Sequence, residues 1–312
     1  MLQRTLKNRI SCTGVGLHTG VQVSLTLHPA AADTGIAFLR SDVAPGIARV
    51  QARWDRVRAS VLCTSIGNEF GTSVMTIEHL MAAFAGCGID NAIVELNGPE
   101  VPAMDGSAHP FVLLMECAGT IAQESPRRVL RVLHPVEVVD GDRRAALRPA
   151  HEFRIDFEID FDGPSKGQGT SSGGVHQRRA FRGSASAFKE EIGRARTFGF
   201  AHEVEAMRAK GFARGGSLDN AVVVDGDKVL NAGGLRYDDE FVRHKILDCI
   251  GDLYLAGAPI VAHVIGLRSG HAVTHMLLRA LFADKSAWRF EPVVSDIARE
   301  TTPLAAAAVA TA

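Results

Sequence analysis

The chain has 312 residues, enough for two domains that each bury a core without disulfide staples. Its 34 Lys and Arg stand against 35 Asp and Glu, a net charge of −1, so no strong field draws it toward nucleic acid or an anionic membrane. With 46% hydrophobic and 22% charged residues it has a globular composition, which excludes disorder, collagen and coiled coil as the main architecture.

Five cysteines, Cys12, Cys63, Cys87, Cys117 and Cys249, are odd in number and form no Cys-x-x-Cys pair. A reducing, cytoplasmic compartment is expected rather than a disulfide framework. The first ten residues carry Arg4, Lys7 and Arg9 with no apolar run after them, which is not a secretory signal. The most apolar stretch, Leu253 to Leu267, is too short to span a bilayer and contains Pro259 and His263, so no stable membrane insertion is expected.

In chain order, Val21 to Leu27 alternates as VQVSLTL, the period of a half-buried strand. Gly14-Val15-Gly16 before it lacks a third glycine and precedes a strand, so it is not read as a dinucleotide fingerprint. Thr76 to Ala85 repeats its apolar residues at helical spacing and is ended by Gly86 and Gly88; Ala92 to Leu96 reads as a strand. The polar Glu124-Ser125-Pro126-Arg127-Arg128 break divides a first domain, 1–125, from a second, 126–300, with 301–312 an alanine-rich frayed tail. Strands are predicted at Val129 to Val139 and Phe153 to Phe161, and the glycine-rich segment 163–174 reads as a surface loop. Ser186 to Ile192 and His202 to Lys210 look helical, Ala221 to Val224 extended, and Phe241 to Leu255 forms the longest amphipathic helix. A strand at Ile260 to Leu267 and a helix at Ala272 to Ala283 complete the pattern. The stretches around His79 and His244 echo each other: a histidine near a helix start, a glycine at its end, then a strand. Two such halves facing each other would bring those histidines together.

His244 and Asp248, four apart on one helix face, can reach one metal ion, although such a pair is more often a surface hydrogen bond. A catalytic zinc takes three protein ligands and leaves a position for water, so a third ligand is needed, and His79 is the candidate. Glu78 beside it is placed to take a proton from an attacking water; the plainer reading is an acidic residue suiting the first turn of a helix. His271 lies in a Ser-Gly-His turn, and Asp252, one turn beyond Asp248, is placed to orient an imidazole and favour its charged form. The alternative for His271 is an exposed loop histidine. Arg194 to Phe200 sets the hydroxyl of Thr197 between a basic pair and the aromatics Phe198 and Phe200, either an oxyanion donor with an apolar wall or a strand-edge fragment. Cys63 reads as a metal thiolate or, more plainly, a small buried hydrophobe.

Six ordered strings, TGVGLHTG from Thr13, TIEHLMAAFAGCGIDN from Thr76, MDGSA from Met104, RARTFGF from Arg194, FVRHKILDCIGDLYLAG from Phe241 and SGHA from Ser269, give the chain its strongest signal. Together it resembles the zinc-dependent UDP-3-O-acyl-N-acetylglucosamine deacetylases of lipid A (lipopolysaccharide) biosynthesis, over about Gln3 to Trp288. The resemblance implies an α+β fold, two β-α-α-β domains forming a sandwich with the active site between them. Each domain would carry a small insert, near Arg40 to Ser60 and near Phe200 to Leu230. It implies Zn2+ held by His79, His244 and Asp248, with Glu78 as general base, His271 as general acid partnered by Asp252, and Thr197 and Lys245 at the oxyanion. It implies an acyl-chain passage walled by Phe200, Val204, Phe212, Leu218 and Val223, a substrate contact at Phe198, a nucleotide contact at Phe161, and a diphosphate contact at Arg268, where the family has lysine. The substrate implied is UDP-3-O-acyl-N-acetylglucosamine, with no nucleic-acid partner, and action as a monomer is expected. A zinc amidase for another acylated amide, or a non-catalytic lipid- or nucleotide-binding relative, are the alternatives.

Overall fold

Two five-stranded sheets built on one plan organise the chain in a computed structural model that describes residues 1–60, 62–161 and 174–293. Nearly all of the glycine-rich loop expected at 163–174, and the tail at 301–312, lie outside the described residues. The first sheet runs Ile10–Val15, Gln22–Pro29, Ala92–Leu96, Ile36–Arg40, Arg49–Gln51 in space. The second runs Val136–Asp140, Arg143–Arg148, His263–Leu267, Arg154–Phe161, Val175–Arg182. In each, two hairpins flank a central strand that is parallel to only one neighbour, Ile36–Arg40 or Arg154–Phe161. The helices are α1 (Glu78–Cys87), α2 (His109–Ala118), the short α3 (Ala185–Ala187), α4 (Ala201–Ala209), α5 (Glu240–Tyr254) and α6 (His271–Ala283). The central strands follow α1 and α5, so the sequence echo is the visible part of a duplicated unit of four strands, helix, strand and helix.

The fold is mixed α+β, as expected. α1 packs on α5, while α2 contacts the first sheet and α5 and α6 contact the second. One apolar core runs from Leu25, Phe38 and Val94 through Leu80 and Phe84 on α1 and Ile246 and Leu247 on α5 to Leu147 and Ile155. Buried all round from Glu78 to Phe84, α1 is an interior helix rather than a surface one. It ends at Gly88, whose left-handed φ of 67° lets the Ile89 N–H donate to the Phe84 carbonyl at 3.0 Å. No described helix is long and apolar enough to cross a membrane.

Several expectations are corrected. The Glu124 to Arg128 segment is not a free linker: Thr120–Pro126 pairs with Leu2–Leu6, and a new strand, Arg128–Val132, begins after Arg127 alone. The strand expected at Val129 to Val139 is two strands, separated by the segment holding Pro135, which has no N–H to offer a ladder. Ile260–Val261 pairs with Arg128–Val132, whereas His263–Leu267 is central in the second sheet, so the chain changes sheets at Ala262. Ser186 to Ile192 is helical as expected, but as α3 followed by a π-helical turn, Phe188–Ile192. The first insert is not at Arg40 to Ser60, because Arg49–Gln51 is the hairpin partner of Ile36–Arg40; it is the small sheet of Val57–Arg58, Ser65–Gly67 and Ser73–Val74. The second comprises α4 with Phe198–Phe200, Val222–Asp225 and Lys228–Val229.

Candidate active site

The packing of α1 on α5 decides which side chains meet. Glu78 and His79 form the first turn of α1, reached through Thr76, a β-branched residue at φ 57°. Such a conformation costs roughly 1–3 kcal/mol and persists only where the surroundings fix it. Glu100 does so: its fully buried carboxylate accepts the Thr76 hydroxyl at 2.7 Å, the His18 and Thr19 N–H groups at 2.9 and 2.8 Å, and the Thr19 hydroxyl at 2.7 Å. α5 presents His244, Asp248 and Asp252 on one face, and α6 begins at His271.

The ligating atoms of His79, His244 and Asp248, all buried, lie within 4.8 Å of one another. The Nε2 atoms of His79 and His244 are 3.5 and 3.3 Å from Asp248 Oδ1, and their rings stand almost perpendicular at 83°. His244 Nδ1 is 3.1 Å from the Ala195 carbonyl. A carbonyl only accepts, so Nδ1 carries the proton and Nε2 offers its lone pair to the cluster. Burial pushes the His244 imidazole down to about 4 despite Asp248 beside it, keeping it neutral. Asp248 is driven well below the usual carboxylate range: burial opposes ionisation, but the Lys245 ammonium beside it outweighs burial. Its Oδ2 accepts from Lys245 Nζ at 2.6 Å, yet its Oδ1 is buried without any hydrogen-bond partner. A buried anionic oxygen left unpaired is costly. Two imidazoles and a carboxylate aimed at one point form the donor set of a divalent metal such as zinc, so the residues fit that ion.

Beside this cluster, the Thr64 N–H donates to Glu78 Oε2 at 3.0 Å, and burial raises the Glu78 pKa above its ordinary value despite His271 and His79 nearby. His271 Nδ1 donates to Asp252 Oδ2 at 2.7 Å. Burial alone would lower the imidazole, but Asp252 outweighs it and holds His271 up to about 9, an imidazolium at neutral pH. Its Nε2 faces Glu78 Oε1 and Asp248 Oδ2, each 3.8 Å away. Cys63 lies outside the cluster; burial and then Glu78 push its thiol up to about 12, so the plainer reading holds.

A cavity of about 580 Å³ opens over these groups and is also lined by Thr197 and Lys245. Phe161, Phe198 and Phe200 make its apolar wall, with ring centroids 5.5 and 5.9 Å from Phe161. Arg268 lines its mouth, where Asp142 and Asp160 both pair with the guanidinium. A second cavity of about 470 Å³ shares Leu17, His18, Leu62, Thr197 and Phe198 with the first, and continues along Val204, Met207, Leu218 and Val223. Phe200 lines only the first. Phe212 lines neither: it packs edge-on against His18 with ring centroids 5.6 Å apart.

The family model described as UDP-3-O-acyl N-acetylglycosamine deacetylase (LpxC) matches residues 3–283. The chain belongs to this family. Among similar curated proteins, the UDP-3-O-acyl-N-acetylglucosamine deacetylase of Phenylobacterium zucineum is 50% identical over 298 residues, 96% of this chain and 99% of its own. Those of Idiomarina loihiensis and Shewanella loihica are 50% and 48% identical over 303 and 288 residues, covering 97% and 92% of this chain and 96% and 92% of their own. The span matched to the deacetylase family contains every side chain of the cluster and both cavities.

Four supporting residues of this family member were not anticipated. Thr64 and Glu100 hold α1 from behind, and His18 lines both cavities. Glu240, fully buried at the start of α5, accepts from the Arg196 N–H at 3.0 Å and its Nε at 2.8 Å, and from the Arg236 N–H at 2.6 Å. It thereby fixes the segment that brings Ala195 to His244 and Thr197 to the cavity. Only Glu100 carries a local signal, an isolated acid between Pro99 and Val101-Pro102.

Proposed function

We propose that this chain hydrolyses the N-acetyl group of UDP-3-O-acyl-N-acetylglucosamine, giving acetate and the free amine, in lipid A biosynthesis. The observation that carries the reading is the unpaired Asp248 Oδ1 facing two imidazole nitrogens, with a proton acceptor and a proton donor beside it. His79, His244 and Asp248 would hold the metal; zinc, when bound, would supply Lewis acidity to the acetyl carbonyl and make the attacking water more acidic.

Glu78 takes the proton from water as its oxygen bonds to the acetyl carbon; a carboxylate whose pKa is raised by burial is a better base for that task. The developing oxyanion is met by the Thr197 hydroxyl, with the Lys245 ammonium adding positive charge from the same cavity wall. The sugar nitrogen leaves poorly as an anion, so as the C–N bond breaks His271 delivers its Nε2 proton to it, while Asp252 keeps the imidazole charged until then. The 3-O-acyl chain would extend along the second cavity, past Phe198, Val204, Leu218 and Val223, with Phe200 at its entrance. Phe212 would act only by bracing His18. Phe161 offers an aromatic face to the nucleotide, and Arg268 would exchange one of its aspartates for a phosphate oxygen. Both halves of the cluster come from one chain, which supports action as a monomer, and five free thiols support a reducing, cytoplasmic setting.

The test is a deacetylation assay on the UDP-sugar with and without its 3-O-acyl chain, before and after chelation and after zinc is restored. Hydrolysis favouring the acylated sugar, lost on chelation and recovered with zinc, is expected; metal-independent hydrolysis, or none, overturns the proposal.

A further inference from the structure

Behind the proton donor sits a polar chain that the mechanism above leaves without a task. Thr64, fully buried just before Ser65–Gly67, places its Oγ1 2.5 Å from Asp252 Oδ1 and 3.2 Å from both His275 Nε2 and His271 Nδ1. His275, one turn along α6 from His271, is buried and 3.5 Å from the same Asp252 oxygen, and its ring lies 27° from the plane of the His271 ring.

Counting protons fixes the direction of every bond. Asp252 is ionised, so both its oxygens only accept; Oδ2 takes His271 Nδ1–H at 2.7 Å, and Oδ1 takes the Thr64 hydroxyl proton. A hydroxyl has one proton, so toward His275, and toward the Nδ1–H that His271 mainly gives to Asp252, Thr64 can only accept. His275 must therefore carry a proton on Nε2, whichever charge state it is in.

We propose that Thr64 and His275 are positioning residues for the proton-donating pair. His275 Nε2–H donates to Thr64 Oγ1, Thr64 donates to Asp252 Oδ1, and the carboxylate so held offers Oδ2 to His271. The inference rests on reading His271 as the donor. Without the Thr64 hydroxyl, the buried Asp252 Oδ1 loses its close partner, and the carboxylate can turn and carry the His271 ring with it. Thr64 also donates its backbone N–H to Glu78 Oε2, so one residue steadies both the proton acceptor and the partner of the proton donor. Thr64 and Asp252 are 188 residues apart in the chain, so the link also ties the two halves together.

Two measurements on the zinc-loaded protein test this. In ¹⁵N-histidine NMR spectra, assigned by comparison with His275→Gln, Nε2 of His275 should be the protonated nitrogen, and its resonance should move in Thr64→Val. An unprotonated Nε2, or a resonance indifferent to Thr64→Val, overturns the proposal without reference to turnover. In kinetics, Thr64→Val and His275→Leu should each lower kcat by about tenfold or more with one zinc per chain retained, the size expected for loss of an outer-shell partner. KM should stay within about twofold, since substrate binding is not touched. Thr64→Ser and His275→Gln, which keep a donor, should recover most of the loss. Wild-type turnover in both Thr64→Val and His275→Leu overturns this inference alone, whereas an inactive wild-type enzyme overturns the proposed function instead.

Discussion

Gly251 on α5 lies against the backbone of Glu78: a Cβ placed on it would stand 2.0 Å from the Glu78 carbonyl oxygen and 3.1 Å from the Ala82 nitrogen. This missing side chain lets α1 approach α5 closely enough for His79 to join His244 and Asp248. Gly251→Ala sets two effects against each other. Alanine favours the helix by roughly 1 kcal/mol, while overpacking against an interior backbone costs about 1–3 kcal/mol. The melting temperature is expected to fall by only a few degrees. Turnover should fall far more, on the order of a hundredfold, because a displacement near 1 Å suffices for that. Measuring kcat beside thermal unfolding checks it; unimpaired turnover would mean that this close approach does not set the geometry of the cluster.

Glu78 and His271 hold opposite ends of the proposed proton path, with His271 Nε2 3.8 Å from Glu78 Oε1. Glu78→Gln and His271→Gln are each expected to keep the fold and bound zinc while lowering kcat by about 10²–10⁴, the range for a general acid or base. Turnover is to be compared with zinc content per chain. A variant that retains both metal and wild-type turnover removes that residue from the mechanism.

Two signals made this site readable in advance: the family-like strings, which carry Glu78, His79, Thr197, Lys245 and His271, and local period. His244, Asp248 and Asp252 share a helix face because their spacing is four, and the duplicated unit shows in the repeated helix-glycine-strand order. The ladder changes were hidden for a physical reason. Burial alternates without interruption through Ile260, Val261, Ala262, His263 and Val264, so the pattern gives no sign that the chain leaves one sheet for another at Ala262. Thr64 was hidden because its meaning depends on Asp252, 188 residues away, and a lone threonine beside a cysteine has no periodicity to betray it. Glu78 reads by its position alone as an ordinary first-turn acid; the family-like string around it and its burial distinguish it.

Glu240 supplies a pH-dependent test of how the Thr197 segment is held. Burial would raise its pKa, but the Arg196 guanidinium and the Arg196 and Arg236 N–H groups outweigh burial and hold it below its ordinary 4.5. A carboxylate depressed on folding stabilises the native state above its unfolded-state pKa, and that contribution is lost as pH falls through the folded value. Removing one partner of such a buried pair costs about 3 kcal/mol. Glu240→Gln is therefore expected to be less stable than wild type by about that amount at pH 7, with the gap narrowing below pH ~4.5. Denaturant unfolding of both proteins between neutral and acidic pH measures it. A gap that does not change with pH would show that the Glu240 charge is not what matters.

Val223 tests the proposed acyl passage apart from the catalytic cluster. It is half-buried in Val222–Asp225 and lines the second cavity but not the first. Val223→Trp would fill space otherwise available to the lipid. Each methylene driven back into water costs about 0.8 kcal/mol, so excluding four costs about 3 kcal/mol, or roughly two orders of magnitude in kcat/KM. The loss should be confined to the 3-O-acylated UDP-sugar, leaving kcat/KM for the unacylated sugar unchanged. Equal losses on both substrates would show that the indole disturbs the Thr197 segment, which pairs with this strand through the Val222 N–H and the Thr197 carbonyl at 2.8 Å, rather than blocking a passage.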